Sequence, residues 1–162
     1  MAWVITVHCV YPTRFWWDDG LSAQVTSDAG GVRVTADTSP PSGSPDVLVG
    51  FIAGAAARRL ASVTRAERRV AVLADFVRYF GPRAAVPLEY REYSWGEDAF
   101  TRGASGGSWS PGLWTAYGHA LRASIGVLHW AGAETATAWH GTMEGALRAG
   151  ARAAAEVRAA LG

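Results

Sequence analysis

The chain has 162 residues, 49% of them hydrophobic, and a formal net charge of +1. That is about one domain's worth of material, with enough apolar side chains for a core and too many for a disordered chain. All fifteen basic residues are arginine and Cys9 is the single cysteine, which excludes lysine-dependent chemistry, an internal disulfide and a cysteine-rich metal site.

Residues 3–11 (WVITVHCVY) are rich in β-branched and aromatic side chains and predict a strand. Gly30-Gly31 signals a turn, after which residues 32–36 (VRVTA) alternate like a second strand with one buried face. The SPPSGSP stretch at 39–45 breaks regular structure, and residues 47–52 (VLVGFI) read as a short buried strand. An antiparallel meander is the most economical arrangement of these three. Thr64 and Glu67 form a T-x-x-E capping box opening a helix whose apolar face runs from Val70 to Phe80, and Gly81-Pro82 stops it. Residues 89–95 (EYREYSW) predict another strand, at a sheet edge; residues 96–112 are loop; residues 128–131 predict a short strand before Gly132. A last helix is expected from Met143 to Leu161, with Met143, Leu147, Gly150, Ala154, Val157 and Leu161 on one face. The fold class is α+β.

No basic block points to nucleic acid. No apolar run reaches the ~20 residues of a membrane helix, and the apolar start lacks a basic leader, so a cytoplasmic protein without a membrane partner is expected. The tail presents a strand–loop–helix unit in which Gly132 and Gly141 permit close backbone approach. The helix start at Gly141-Thr142-Met143 offers free N–H groups and a partial positive charge to a phosphate or a flavin carbonyl edge. The same residues also read as an ordinary packing unit. Residues 103–107 (GASGG) satisfy G-x-S-x-G around Ser105, a serine-hydrolase elbow, although no helical segment follows the serine as that motif requires. His119, His129 and His140 lack the spacing of a helical zinc site, so no metal is expected.

Residues 131–154 (AGAETATAWHGTMEGALRAGARAA) resemble the signature of flavin monoamine oxidases and their bacterial relatives. VHCVYPTRFWWDDGLSAQVTSDAG, SPPSGSP, VGFIAGAAAR, AERR, EYREYSW and SPGLWTAYGHALR follow that family's order, so the resemblance spans the chain. It implies oxidation of an amine by hydride transfer to FAD, with dioxygen reoxidising the flavin. It places residues 1–122 in a substrate-binding portion and 123–162 in an FAD-contacting segment. The dinucleotide-binding G-x-G-x-x-G is absent from this sequence, so the chain matches the C-terminal half of such an oxidase.

By the same resemblance, Gly132, Ala133, Glu134, Gly141, Thr142, Met143 and Trp95 contact FAD, and Phe51, Ser105 and Thr142 line the substrate cavity. Thr142 and Ser105 stand where the family carries the two tyrosines of its aromatic cage, and Ala104 where some members attach flavin through cysteine. Thr6 stands where a lysine holds a water near flavin N5. No catalytic residue is assigned. FAD would be non-covalent, and held weakly or not at all by the isolated chain. The alternatives are an inactive remnant and a non-catalytic subunit; a partner chain with the dinucleotide-binding half, or self-association, would then cover the last helix.

Overall fold

The computed structural model describes residues 2–104, 106 and 109–162. It divides into two compact units, Ala2–Ala104 and Ser105–Gly162. Ser105 lies outside the described residues, as do Gly107 and Ser108.

The first unit is built on strands β1 (Val4–Tyr11), β2 (Val25–Thr26), β3 (Val34–Asp37), β4 (Asp46–Ala53) and β5 (Glu89–Ser94), with helices α1 (Phe15–Asp18), α2 (Gly54–Ala61) and α3 (Arg65–Phe80). The sheet order is β2-β3-β4-β1-β5, and every pairing is antiparallel. Of the three strands expected in a meander, β3 and β4 pair with each other as expected, but β1 pairs with β4 and not with β3; β2 is an additional short strand beside β3. Strand β1 is inserted between β4 and β5, and it pairs along nearly its whole length with both. Composition accounts for the inner positions: β1 and β4, the two longest strands and both rich in apolar side chains, are hydrogen-bonded on both edges. β5 is an edge strand, as its alternating polar pattern predicts.

Alternation along β1 sorts its side chains by face. Ile5, Val7, Cys9 and Tyr11 are buried, whereas Thr6, His8 and Val10 point away from that core. The buried side meets α3 through Val72, Phe76 and Phe80, joined by Trp16, Leu48 and Ile52. Gly50 of β4 is needed here, because a Cβ would lie 2.9 Å from the Phe76 ring. The capping box opens α3: Glu67 N–H donates to Thr64 Oγ1 at 3.2 Å, and Thr64 N–H donates to the Glu67 carboxylate at 2.9 Å. The Thr64 hydroxyl, which also donates to that carboxylate at 2.7 Å, and then the Thr64 N–H hold the Glu67 carboxyl below its ordinary range.

In the second unit the described elements are α4 (Leu113–Tyr117), two short 3₁₀ turns and α5 (Met143–Leu161). The strand expected at 128–131 does not form. Its backbone is satisfied otherwise: a single bridge joins Ile125 to Leu128, and Arg152 donates to the Trp130 carbonyl at 2.8 Å. A strand needs a neighbour to pair with, and none is present among the described residues of this unit. α5 forms with the expected bounds. Among the described residues, no helix is long and apolar enough to cross a membrane.

Candidate functional site

In the first unit, the face of the sheet turned away from α3 carries a row that the register fixes. Val34 pairs with Phe51, Phe51 with Thr6, and Thr6 with Tyr93, across β3, β4, β1 and β5. Trp95 lies two residues beyond Tyr93 and so falls on the same side. Its indole Nε1 donates to Thr6 Oγ1 at 3.3 Å, and its ring meets Tyr93 edge-on at 4.6 Å between centroids. Phe51, Trp95 and Thr6, which sequence reading singled out separately, are thus brought into one exposed patch.

Tyr93 was missed by that reading. Its signal was the i, i+2 alternation that puts it beside Trp95 on an edge strand. The phenol donates to Asp98 at 2.6 Å, and Asp98 also accepts from the N–H groups of Phe100 and Thr101 at 3.1 and 2.7 Å. The hydrogen bond from Tyr93, followed by those from the backbone, holds the Asp98 carboxyl well below its usual range; the same bond raises the Tyr93 phenol. This turn therefore fixes the ring of Tyr93 at the edge of the patch. Chemically, the patch offers aromatic surface and two hydroxyls, those of Thr6 and Tyr93, each already in a hydrogen bond, and no amine side chain.

In the second unit, residues 132–142 fold back on themselves ahead of α5. Gly141 N–H donates to the Ala133 carbonyl at 3.1 Å, and His140 Nε2 lies 2.8 Å from the Glu134 carbonyl. Gly132 and Gly141 have φ of +127° and +75°, a region costly for a residue with a Cβ. Gly145 must also be glycine, because a Cβ there would lie 2.2 Å from the Trp139 carbonyl oxygen. Thr142 caps α5: its Oγ1 accepts from Gly145 N–H at 3.2 Å and donates to the Trp139 carbonyl at 2.6 Å. The Thr142 hydroxyl is therefore committed to the helix. Gly132, Ala133, Glu134, Gly141, Thr142 and Met143 all belong to this loop and helix start, and Met143 is 87% exposed.

His129 and His140 each have one ring nitrogen in contact with an oxygen. His129 Nδ1 faces Glu156 at 3.3 Å, and His140 meets the Glu134 carbonyl. Among the described residues, no group of histidine, cysteine or carboxylate side chains is arranged to hold a metal ion.

Known proteins place this geometry. The sequence profile of flavin containing amine oxidoreductases matches residues 1–158. A Mycobacterium tuberculosis relative whose name, AofH, is that of a flavin-containing monoamine oxidase is 44% identical over 154 residues; these are 95% of this chain and 33% of the relative. A flavin-containing amine oxidase of Danio rerio is 36% identical, covered over 32% of its length. The chain thus spans about a third of the length of these relatives. Among solved structures, cyclohexylamine oxidase from Brevibacterium oxydans superposes with a TM-score of 0.92 at 35% identity, over 99% of this chain and 36% of that one. Putrescine oxidase bound to putrescine superposes with a TM-score of 0.91 at 34% identity, over 96% of this chain and 35% of that one. With a profile that runs almost from end to end, the chain belongs to the family of flavin-containing amine oxidoreductases.

Proposed function

We propose that this chain supplies the sheet-and-helix side of an FAD-dependent amine oxidase site. The reaction would oxidise an amine to an imine, with hydride leaving the carbon beside nitrogen and dioxygen carrying the electrons away as hydrogen peroxide. The observation that carries this reading is the single exposed patch of Thr6, Phe51, Tyr93 and Trp95 in a member of an amine oxidoreductase family. The solved relatives named for cyclohexylamine and putrescine oxidation favour an alkyl amine as substrate.

The division follows the family pattern, with residues 1–122 as substrate-binding portion and 123–162 as FAD-contacting segment. FAD, when bound, supplies the hydride acceptor. The residues present fit one side of it. The glycine conformations at 132 and 141 leave backbone open to close approach, with space around Gly141 where a Cβ would stand. Gly132, Ala133 and Glu134 would lie along the ribityl and pyrophosphate, and Gly141, Thr142 and Met143 against the ring system, with Trp95 near it. By the family pattern, Phe51, Ser105 and Thr142 are the residues that would contribute to a substrate cavity. The dinucleotide-binding portion, which the relatives' further two-thirds has room for, would come from additional sequence in the same or another polypeptide.

A second reading, a family member that binds without turning over, is favoured by two specific observations. The Thr142 hydroxyl is spent on capping α5, and Thr6 is engaged by Trp95 where a cationic side chain would serve catalysis. The test is to purify the chain alone and co-expressed with the remaining portion of the Mycobacterium relative, then measure bound flavin and amine-dependent peroxide. Flavin retained only by the pair, with peroxide formed on adding an alkyl amine, supports the oxidase. Flavin without peroxide supports the non-catalytic reading. Stoichiometric flavin and peroxide from the chain alone would overturn the division of the site.

A further inference from the structure

We propose that Arg152 is a positioning residue for the flavin: from α5 it closes the base of the turn at 131–134 and so holds the backbone of Gly132, Ala133 and Glu134 in shape. This rests on the flavin reading of those three residues and adds what fixes them. One guanidinium nitrogen, Nη2, donates to the Trp130 carbonyl at 2.8 Å and to Thr135 Oγ1 at 3.3 Å, the residues on either side of the turn. The Thr135 hydroxyl passes the contact inward, donating to the Gly132 carbonyl at 3.0 Å. A helix side chain thereby reaches, through one hydroxyl, the glycine whose φ is +127°.

The turn has no ladder of its own to keep its form, so its carbonyls are taken up one at a time. The Ala133 carbonyl accepts from Gly141 N–H at 3.1 Å, and the Glu134 carbonyl lies 2.8 Å from His140 Nε2. Those contacts tie the turn to the loop ahead of α5. Arg152 ties it to the helix itself, which is the rigid element of this unit. Ala149 and Ala153, both buried on the inward face of α5, flank Arg152 with small side chains and let the segment come close enough for Nη2 to reach both acceptors. Because Arg152 is bound to its own unit, these contacts stand whatever covers the outer face of the helix.

The guanidinium is itself aimed. One turn further along α5, Glu156 accepts from Arg152 Nη1 and faces His129 Nδ1 at 3.3 Å through its other oxygen. Arg152 first, and then His129, hold the Glu156 carboxyl below its ordinary range, so the acceptor that orients Arg152 stays ionised. With a carboxylate on one nitrogen and the two ends of the turn on the other, the planar fork of arginine suits the place, and a compact ammonium would not span it.

Two measurements test the assignment: hydrogen exchange on the chain, and flavin affinity of the chain co-expressed with the remaining portion of the Mycobacterium relative. Arg152→Ala should speed exchange in residues 131–136, leave the sheet unchanged and raise the flavin dissociation constant at least about tenfold. Millimolar guanidinium should slow that exchange again and recover part of the affinity, and ammonium should not. Thr135→Val should weaken flavin in the same direction, and Arg152→Ala should cost less on that background than in the native chain. A role confined to the ion pair with Glu156 would make the two losses additive. Flavin held as tightly by Arg152→Ala, additive losses, or equal rescue by both ions would overturn the assignment and leave the flavin reading intact. A native pair without flavin would overturn that reading, and the assignment with it. Exchange in residues 131–136 unmoved by Arg152→Ala would overturn the closing of the turn whether or not flavin binds.

Discussion

The Trp95 indole donates to Thr6 Oγ1 at 3.3 Å, tying the residue after the edge strand β5 to the neighbouring inner strand β1. Thr6→Val keeps the β-branched shape and removes the acceptor. Both groups stand near water, so the expected loss is below about 1 kcal/mol, at the low end for a hydrogen bond. The urea midpoint should move slightly with an unchanged slope, and Trp95→Phe should add little on top of it. A loss in Thr6→Val as large as that of a core truncation would show that the hydroxyl has another buried role.

Asp75 is a stronger hinge between layers. Buried on α3, its Oδ2 accepts from the N–H groups of Gly31 and Val32 at 2.7 and 2.9 Å, and Arg78 covers the other oxygen. Asp75→Ala leaves two backbone donors without acceptors, at a cost of roughly 2–4 kcal/mol. Asp75→Asn retains an acceptor oxygen and should cost less than half as much. Equilibrium unfolding of the two variants checks the order.

Cys9 sits on the buried face of β1, and burial pushes its thiol from 9.0 up to about 12. In that interval the unfolded chain releases the proton first, so stability falls as pH rises from 9.0 toward about 12. Tyr11 is raised by burial as well and acts in the same direction. Cys9→Ala should flatten part of this alkaline decline. Alkylation of Cys9 at neutral pH should proceed only at the rate of unfolding.

Gly145 marks the contact between the 132–142 loop and the first turn of α5. Gly145→Ala would drive a Cβ into the Trp139 carbonyl oxygen, which lies 2.2 Å from its position, and that oxygen also accepts from Thr142. The loop has to move, and the cap of α5 moves with it, at a cost of at least about 1 kcal/mol. Hydrogen exchange should accelerate in residues 139–146 and stay unchanged in the sheet. Uniform acceleration across the chain would show that this contact is not local.

Local chemistry was legible in the sequence wherever the interaction closes within a few residues. The capping box at Thr64 and Glu67, the stop at Gly81, the bounds of α5 and the edge character of β5 all follow from side chains near in sequence. The tail motif likewise pointed to its family from a contiguous run of residues. The meander and the strand at 128–131 were misread for a common reason: a strand is completed by a partner, and the sequence does not name it. β1 has two long neighbours, β4 and β5, and takes an inner position in the sheet, whereas residues 128–131 have no strand neighbour among the described residues and stay irregular.

The patch shows the same division. Phe51, Trp95 and Thr6 could be picked out one by one, but only the register of β4, β1 and β5 sets them side by side and adds Tyr93. The sequence by itself determined the elements with local signals and, through its motif, the family. Tertiary structure alone decided strand order, which face of the sheet stays open and which face of α5 is left uncovered. Those choices depend on backbone pairing and burial between residues tens of positions apart, and loop-closure entropy makes such contacts a property of the whole fold.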